Sequence, residues 1–285
     1  MSRTAYVNGA YAPLNAPHIS VLDRGFQFAD AIYEVWAIRG GRLFDAAEHM
    51  ARLKRSLAEL RIAMPMSEAA LMAVMRETIR RNRVRDGIVY VQVSRGVAAR
   101  DHVFPSPNTR PTLIVTAKTL DSSALAKRAA KGVKVISVPE TRWARRDIKS
   151  VNLLPNVLAR QAAKEAGAFE AWYVDADGHI TEGTSSTAWI VDAQGRLRTR
   201  ALSHDLLHGV TRHALLRIAR ERQMAVLEEP FTIAETKVAR EAFISSASNP
   251  AVPVIAIDNV PVGDGKPGPV ALSLRTFYLG AEAPR

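Results

Sequence analysis

Three tight-turn signals, Asn8-Gly9, Gly40-Gly41 and Asp177-Gly178, constrain this chain more than any other feature. A two-residue hairpin joins only antiparallel strands, whereas parallel strands need a long crossover. Around these turns run alternating or β-branched stretches at 31–38, 88–94, 112–117, 133–138, 170–174, 187–191 and 252–257, which read as strands. Helical patterns are interleaved at 45–61, 67–82, 153–166, 211–223 and 233–240. The first of these opens on a D-x-x-E capping box, Asp45 and Glu48, and carries Met50, Leu53, Leu57 and Leu60 on one face. Without a strict βαβ rhythm, the expected class is α+β. No GxGxxG follows a strand and no GxxxxGK[ST] exists, which argues against a Rossmann or P-loop nucleotide site. At 285 residues, two domains are expected. The small polar run Asp121-Ser122-Ser123 marks the break, giving 1–120 and 121–285.

Cysteine is absent, so disulfides, thiolate nucleophiles and cysteine-ligated metals are excluded. Oxygen, nitrogen or organic-cofactor chemistry remains, and no metal site is expected. The N-terminus has no leader pattern, and no run reaches the length of a membrane span, so a cytoplasmic protein without a membrane partner is expected. The formal net charge is +11, but arginines are spread along the chain with short clusters at 80–85 and 142–146. Nucleic-acid binding calls for a denser basic face interleaved with aromatics. The charge therefore reads as solubility plus attraction for anionic small molecules, with no nucleic-acid partner.

Several residues could carry chemistry. Lys149 follows Arg142, Arg145 and Arg146 and precedes a helix. A second positive charge among others is disfavoured, and a neutral amine can bond covalently to an aldehyde cofactor. Taken alone, one lysine among nine also reads as a surface cation. Glu182, in Ile180-Thr-Glu182-Gly-Thr-Ser-Ser186, could hold a pyridinium nitrogen protonated, or be an exposed strand carboxylate. Leu207-His-Gly-Val210-Thr211 opens a helix whose free amides suit a phosphate, though ordinary capping by Thr211 fits the same letters. Arg52 is either a bidentate phosphate clamp or a solvated helix-face arginine. Ser245-Ser246-Ala247-Ser248 is either a phosphate cradle or a turn.

Lys149 in RRDIKSVNLL, Glu182 in ITEGTSS, Leu207 to Thr211 in LHGVT, Arg52 in EHMARLKRS, and Tyr33 in AIYEV together resemble the class IV pyridoxal-phosphate aminotransferases in order and spacing. The resemblance runs from Tyr6 to Ile257. It implies a two-domain fold with pyridoxal 5'-phosphate between the domains, the cofactor lysine lying in the C-terminal one. Lys149 would bind the cofactor and move the substrate proton, and Glu182 would face the ring nitrogen. Leu207 would pack on the ring, while Arg52, Val210, Thr211, Ser246 and Ala247 would hold the phosphate.

Within that family, Arg100-Asp-His102 together with Tyr33 looks like the carboxylate trap of the D-amino-acid transaminases. There the arginine and histidine reach in from the partner subunit, which implies a homodimer. A guanidinium, an imidazole and a phenol can all donate to one α-carboxylate. The implied reaction is a ping-pong transfer of the amino group of D-alanine or D-glutamate to a 2-oxo acid such as 2-oxoglutarate. Ala247 stands where relatives often have threonine, Leu154 where branched-chain enzymes tend to have tyrosine, and His208 has no evident role. Rival readings are an L-branched-chain aminotransferase or 4-amino-4-deoxychorismate lyase on the same fold. A basic binding module, suggested by net charge alone, is the rival from another class.

Overall fold

A computed structural model describes residues 3–281, which form two compact units. Of these residues, the first unit takes those up to Asp121 together with Ile148–Asn152, and the second takes Ser122–Asp147 together with those from Leu153 onward.

The first unit contains β1 (Thr4–Val7), β2 (Ala10–Pro13), α1 (Arg24–Phe28), β3 (Ala31–Arg39), β4 (Arg42–Leu43), α2 (Ala46–Glu59), α3 (Glu68–Arg81), β5 (Gly87–Ser94) and β6 (Thr112–Thr119). They build an antiparallel sheet in the order β2-β1-β6-β5-β3-β4. Alternation decides which face of each strand meets the helices: in β5, Val89, Val91 and Val93 are buried, and they share a core with Ile32, Trp36 and Ile38 of β3. Helix α2 covers that core with Met50, Leu53 and Leu57, and α3 with Leu71, Met75 and Ile79, the three- and four-residue spacings of an apolar helical stripe. Ser67 caps α3 by accepting from the Ala70 N–H. The capping box expected at Asp45 does not form. Asp45 takes a left-handed backbone, φ 46°, and makes no side-chain cap bond; a capping residue needs extended geometry to aim its oxygen at the first-turn amides.

The second unit holds α4 (Ser122–Lys131), β7 (Val133–Pro139), α5 (Leu154–Glu165), β8 (Glu170–Val174), β9 (Ile180–Gly183), β10 (Thr187–Val191), β11 (Leu197–Thr199), α6 (Val210–Glu221), β12 (Val226–Glu228), α7 (Ile233–Val238), β13 (Glu241–Ser245), β14 (Val252–Ile257), β15 (Val260–Pro261) and α8 (Pro269–Ala281). Its sheet runs β12-β11-β10-β13-β14-β7-β8-β9, with β15 on β14. The pairs β7–β8, β7–β14 and β11–β12 are parallel and the others antiparallel, so the chain is α+β with one antiparallel and one mixed sheet. β10 and β13 are buried along their whole length, as strands covered on both faces must be.

The two units part at the polar run Asp121-Ser122-Ser123, and Ser122 begins α4, because serine opens helices as readily as turns and Ala124, Ala126, Ala129 and Ala130 propagate one. Lys149, expected in the C-terminal domain, packs with the N-terminal unit instead. The Tyr33 N–H donates to the Lys149 carbonyl at 2.9 Å, the Val151 N–H donates to the Ala31 carbonyl at 3.0 Å, and Ile148 is buried in the first unit's core. Residues 148–152 thus extend the edge of β3 as a short antiparallel addition.

Candidate active site

In the first unit, Lys149 is fixed by its backbone while its side chain stays available. Its N–H donates to the buried Ser56 Oγ at 3.3 Å, its carbonyl accepts from Tyr33, and its Nζ lies 4.3 Å from the centre of the Tyr33 ring. Tyr33 stacks on Tyr90 with ring centres 5.6 Å apart, and the Tyr90 hydroxyl donates to Gln92 Oε1 at 2.7 Å. Strand alternation places Tyr33 on one face of β3 and Glu34 on the other. Glu34 is fully buried, and Arg52 grips it twice, Nε to Oε2 at 2.9 Å and Nη2 to Oε1 at 2.7 Å. The His49 ring joins the same carboxylate at 2.9 Å. Burial works to raise the Glu34 carboxyl, but the Arg52 guanidinium and the His49 ring override it and hold it well below the usual carboxylate range. Arg52 is therefore an oriented, partly buried guanidinium and not a solvated one.

Arg100 and His102 are exposed, and both pack on Phe28: the Arg100 guanidinium lies 4.9 Å from that ring's centre and the His102 ring 5.4 Å. Buried Arg24 pins the loop between them, its Nη1 donating to the Asp101 carbonyl at 2.6 Å.

In the second unit, Glu182 at the end of β9 is 5% exposed. It accepts from Arg142 Nη1 at 2.5 Å and from the Leu207 N–H, which lies 3.2 Å from each of its oxygens. Burial drives the Glu182 carboxyl upward from its ordinary value, and Arg142 and the Leu207 N–H offset that only in part. Arg142 also grips Glu140, whose carboxyl is held down at about 2 although burial alone would raise it. Behind Glu182, the buried Glu170 accepts from the hydroxyls of Thr184, Ser185 and Ser186, which fastens the TSS turn. A Cβ at Gly183 would come within 2.5 Å of Ser186 Oγ, so the residue after Glu182 has no room for a side chain.

Of the phosphate candidates, Val210, Thr211, Ser246 and Ala247 lie in this second unit and Arg52 in the first. Gly209 is the N-cap of α6 and supplies no side-chain cap; a Cβ on it would stand 3.0 Å from Thr187 Oγ1. Thr187 in turn pairs across the sheet with Ser245, the residue before Ser246 and Ala247. Val210 and Thr211 begin the helix, and Thr211 Oγ1 is buried without a hydrogen-bond partner. Ser246 and Asn249 exchange backbone N–H···O bonds at 3.1 Å, leaving the Ser246 hydroxyl and the Ala247 amide for a ligand. An uncapped helix start beside an orphaned buried hydroxyl fits a phosphate monoester. His208 contacts the Ser203 carbonyl at 3.2 Å.

The sequence reading missed the carboxylates that organise these groups. Arg142, Arg145 and Arg146, expected to act on Lys149, each meet an acid instead: Glu140 and Glu182, Asp147, and Glu140 with Asp205 respectively. Glu34 carried a signal, an acid in the middle of an apolar strand.

The chain is an enzyme of the amino-group-transferring class: the family model described as amino-transferase class IV matches residues 31–257. It belongs to that family. A D-alanine aminotransferase from Staphylococcus haemolyticus is 36% identical over 274 residues, covering 96% of this chain and 95% of the relative. One from Bacillus licheniformis is 39% identical over 269 residues, covering 94% and 93%. Among solved structures, a branched-chain amino acid aminotransferase from T.th. with pyridoxamine 5'-phosphate is similar at a TM-score of 0.88 and 28% identity, covering 99% of this chain and 94% of that one. The Escherichia coli branched-chain enzyme shares the fold at a TM-score of 0.89 and 23% identity, covering 98% and 94%. Pyridoxal phosphate is the working cofactor of the family.

Proposed function

We propose that this chain is a pyridoxal-phosphate-dependent D-amino-acid transaminase. The observation that carries the reading is the Arg100-Asp-His102 loop, held in place by Arg24, in a chain with Tyr33 beside Lys149 and with D-alanine aminotransferases as relatives along almost its full length. Structural likeness to branched-chain enzymes does not weigh against it, since one fold serves both chemistries.

Lys149 from the first unit would hold the cofactor covalently and carry the proton from the substrate Cα. Glu182 would accept the ring N–H and so keep that nitrogen protonated, its carboxylate held in place by Arg142 Nη1 and the Leu207 N–H. The bound cofactor supplies the electron sink that makes the Cα proton removable. Val210, Thr211, Ser246 and Ala247 of the second unit would receive the phosphate, Arg52 of the first unit would clamp it, and Leu207 would lie on the ring. Tyr33, Arg100 and His102 would receive the α-carboxylate, the last two serving the partner subunit's site in a homodimer. Holding the carboxylate on one side determines which enantiomer presents its Cα hydrogen to Lys149. A ping-pong cycle with 2-oxoglutarate in the cytoplasm completes the proposal; among the described residues no helix is long and apolar enough to cross a membrane.

The test is a panel of D- and L-alanine, glutamate and leucine with 2-oxoglutarate. Turnover of the D-forms is expected. Turnover confined to L-leucine, or release of 4-aminobenzoate from 4-amino-4-deoxychorismate in place of transamination, overturns the assignment.

A further inference from the structure

A cavity of about 720 Å³ opens in the first unit at the edge of the sheet, between β4, the start of α2, the face of α3 and the loop that follows α3. None of the residues assigned above lines it. Five arginines do, Arg42, Arg76, Arg80, Arg83 and Arg85, and no carboxylate joins them. Only Arg80 is ion-paired, to Glu77 at 2.7 Å; among the described residues Arg42, Arg76, Arg83 and Arg85 make no ion pair. The remaining wall is apolar, formed by Leu43, Met72, Ile79 and Val84. The mouth is braced, because the Gly41 N–H donates to the Arg85 carbonyl at 2.7 Å and the Gly40 N–H to Asp86 Oδ1 at 3.1 Å.

A cation in the last turn of a helix offsets the negative end of its dipole, which accounts for Arg80. It does not account for Arg76 in mid-helix, for Arg42 on the edge strand or for Arg85 in the loop. Arg83 stands just past the α3 C-cap with φ 52°, where glycine is the ordinary residue, so a bulky cation occupies a position that local geometry disfavours. All five arginines are exposed on the groove's rim, so solvent screens part of their mutual repulsion, and an anion seated among them would relieve the rest. The volume lies within the range of small-molecule sites. A bare phosphate would leave the apolar wall unused, and a nucleic-acid strand would need a basic track longer than this single cluster. Guanidinium planes also stack on aromatic rings.

We propose that this groove binds an anionic small molecule of the nucleotide class, an aromatic body carrying two or more negative charges. The test is calorimetric titration of the pyridoxal-phosphate-saturated chain with ATP, adenosine, tripolyphosphate and a short oligothymidylate, at about 150 mM salt so that weak surface attraction is screened. One ATP per chain is expected, bound at least about tenfold more tightly than tripolyphosphate or adenosine, with Arg76→Gln and Arg83→Gly each weakening it about tenfold. Arg83→Gly relieves a left-handed backbone, so its melting temperature should hold or rise and lost binding cannot be put down to unfolding. Equal ATP affinity in parent and variants overturns the proposal. So does tripolyphosphate binding as tightly as ATP, which would reduce the site to charge alone, or oligothymidylate binding without ATP binding.

Discussion

Arg142 and Glu182 meet at 2.5 Å with both side chains 7% exposed, and the same guanidinium grips Glu140 at 2.6 Å. One buried cation thus holds two carboxylates, one of them the candidate partner of the cofactor's ring nitrogen. Removing it leaves both acids buried without their main counter-charge. Arg142→Met is expected to cost about 3–5 kcal/mol of unfolding free energy, measured by urea denaturation. Glu140 adds a pH signature. Its carboxyl is depressed to about 2, so its stabilisation is complete above its ordinary value of 4.5 and is lost as pH falls toward 2. In Arg142→Met that acid-side loss should shrink; an unchanged acid limb would show that Arg142 does not hold Glu140 down.

Thr211→Val separates ligand binding from folding. The Thr211 hydroxyl is buried with no protein partner, so an isosteric methyl removes no internal bond. The cofactor-free protein is expected to be unchanged or more stable by about 1 kcal/mol, while cofactor affinity falls about tenfold. Paired thermal melts with and without pyridoxal phosphate measure both; a destabilised cofactor-free variant with unchanged affinity contradicts the assigned role.

Gly183→Ala places a Cβ at 2.5 Å from Ser186 Oγ, in the turn that Glu170 fastens. A loss of about 1–3 kcal/mol is expected. Adding Ser186→Ala should return part of it, a coupling that a double-mutant cycle reads directly. Additive losses would mean the close approach is not the cause.

Arg100→Ala tests the proposed carboxylate-binding role of that residue. Arg100 is exposed and rests on the Phe28 ring, so folding should be little affected. The expected result is a rise in KM for D-alanine with the cofactor still bound. An unchanged KM would remove Arg100 from the substrate site.

Local pattern made much of the fold legible. β8, β10 and β14 have the boundaries that alternation and β-branching indicate, and the Gly40-Gly41 and Asp177-Gly178 turns do join antiparallel strands, although their second strands, β4 and β9, are too short to stand out by pattern. What local pattern misses is long-range. Glu241-Ala-Phe-Ile-Ser245 is buried throughout and so shows no period, and α8 follows a Gly/Pro-rich stretch that reads as loop. Residues 148–152 join the first unit because Tyr33 and Ala31, far earlier in the chain, supply the backbone partners. The site divides in the same way. Lys149, Glu182 and Thr211 stand out by motif, but Glu34 as the anchor of Arg52 and Glu140 as the second acid on Arg142 appear only once the chain is folded.

The most direct measurement is peptide mapping by mass spectrometry after the pyridoxal-phosphate-loaded protein is reduced with borohydride. The expected result is one phosphopyridoxyl group on the peptide containing Lys149, and none on the Lys149→Ala chain, which should also lack the visible absorbance that reduction bleaches. Label on a different lysine, or the same absorbance in Lys149→Ala, would contradict the placement of the cofactor.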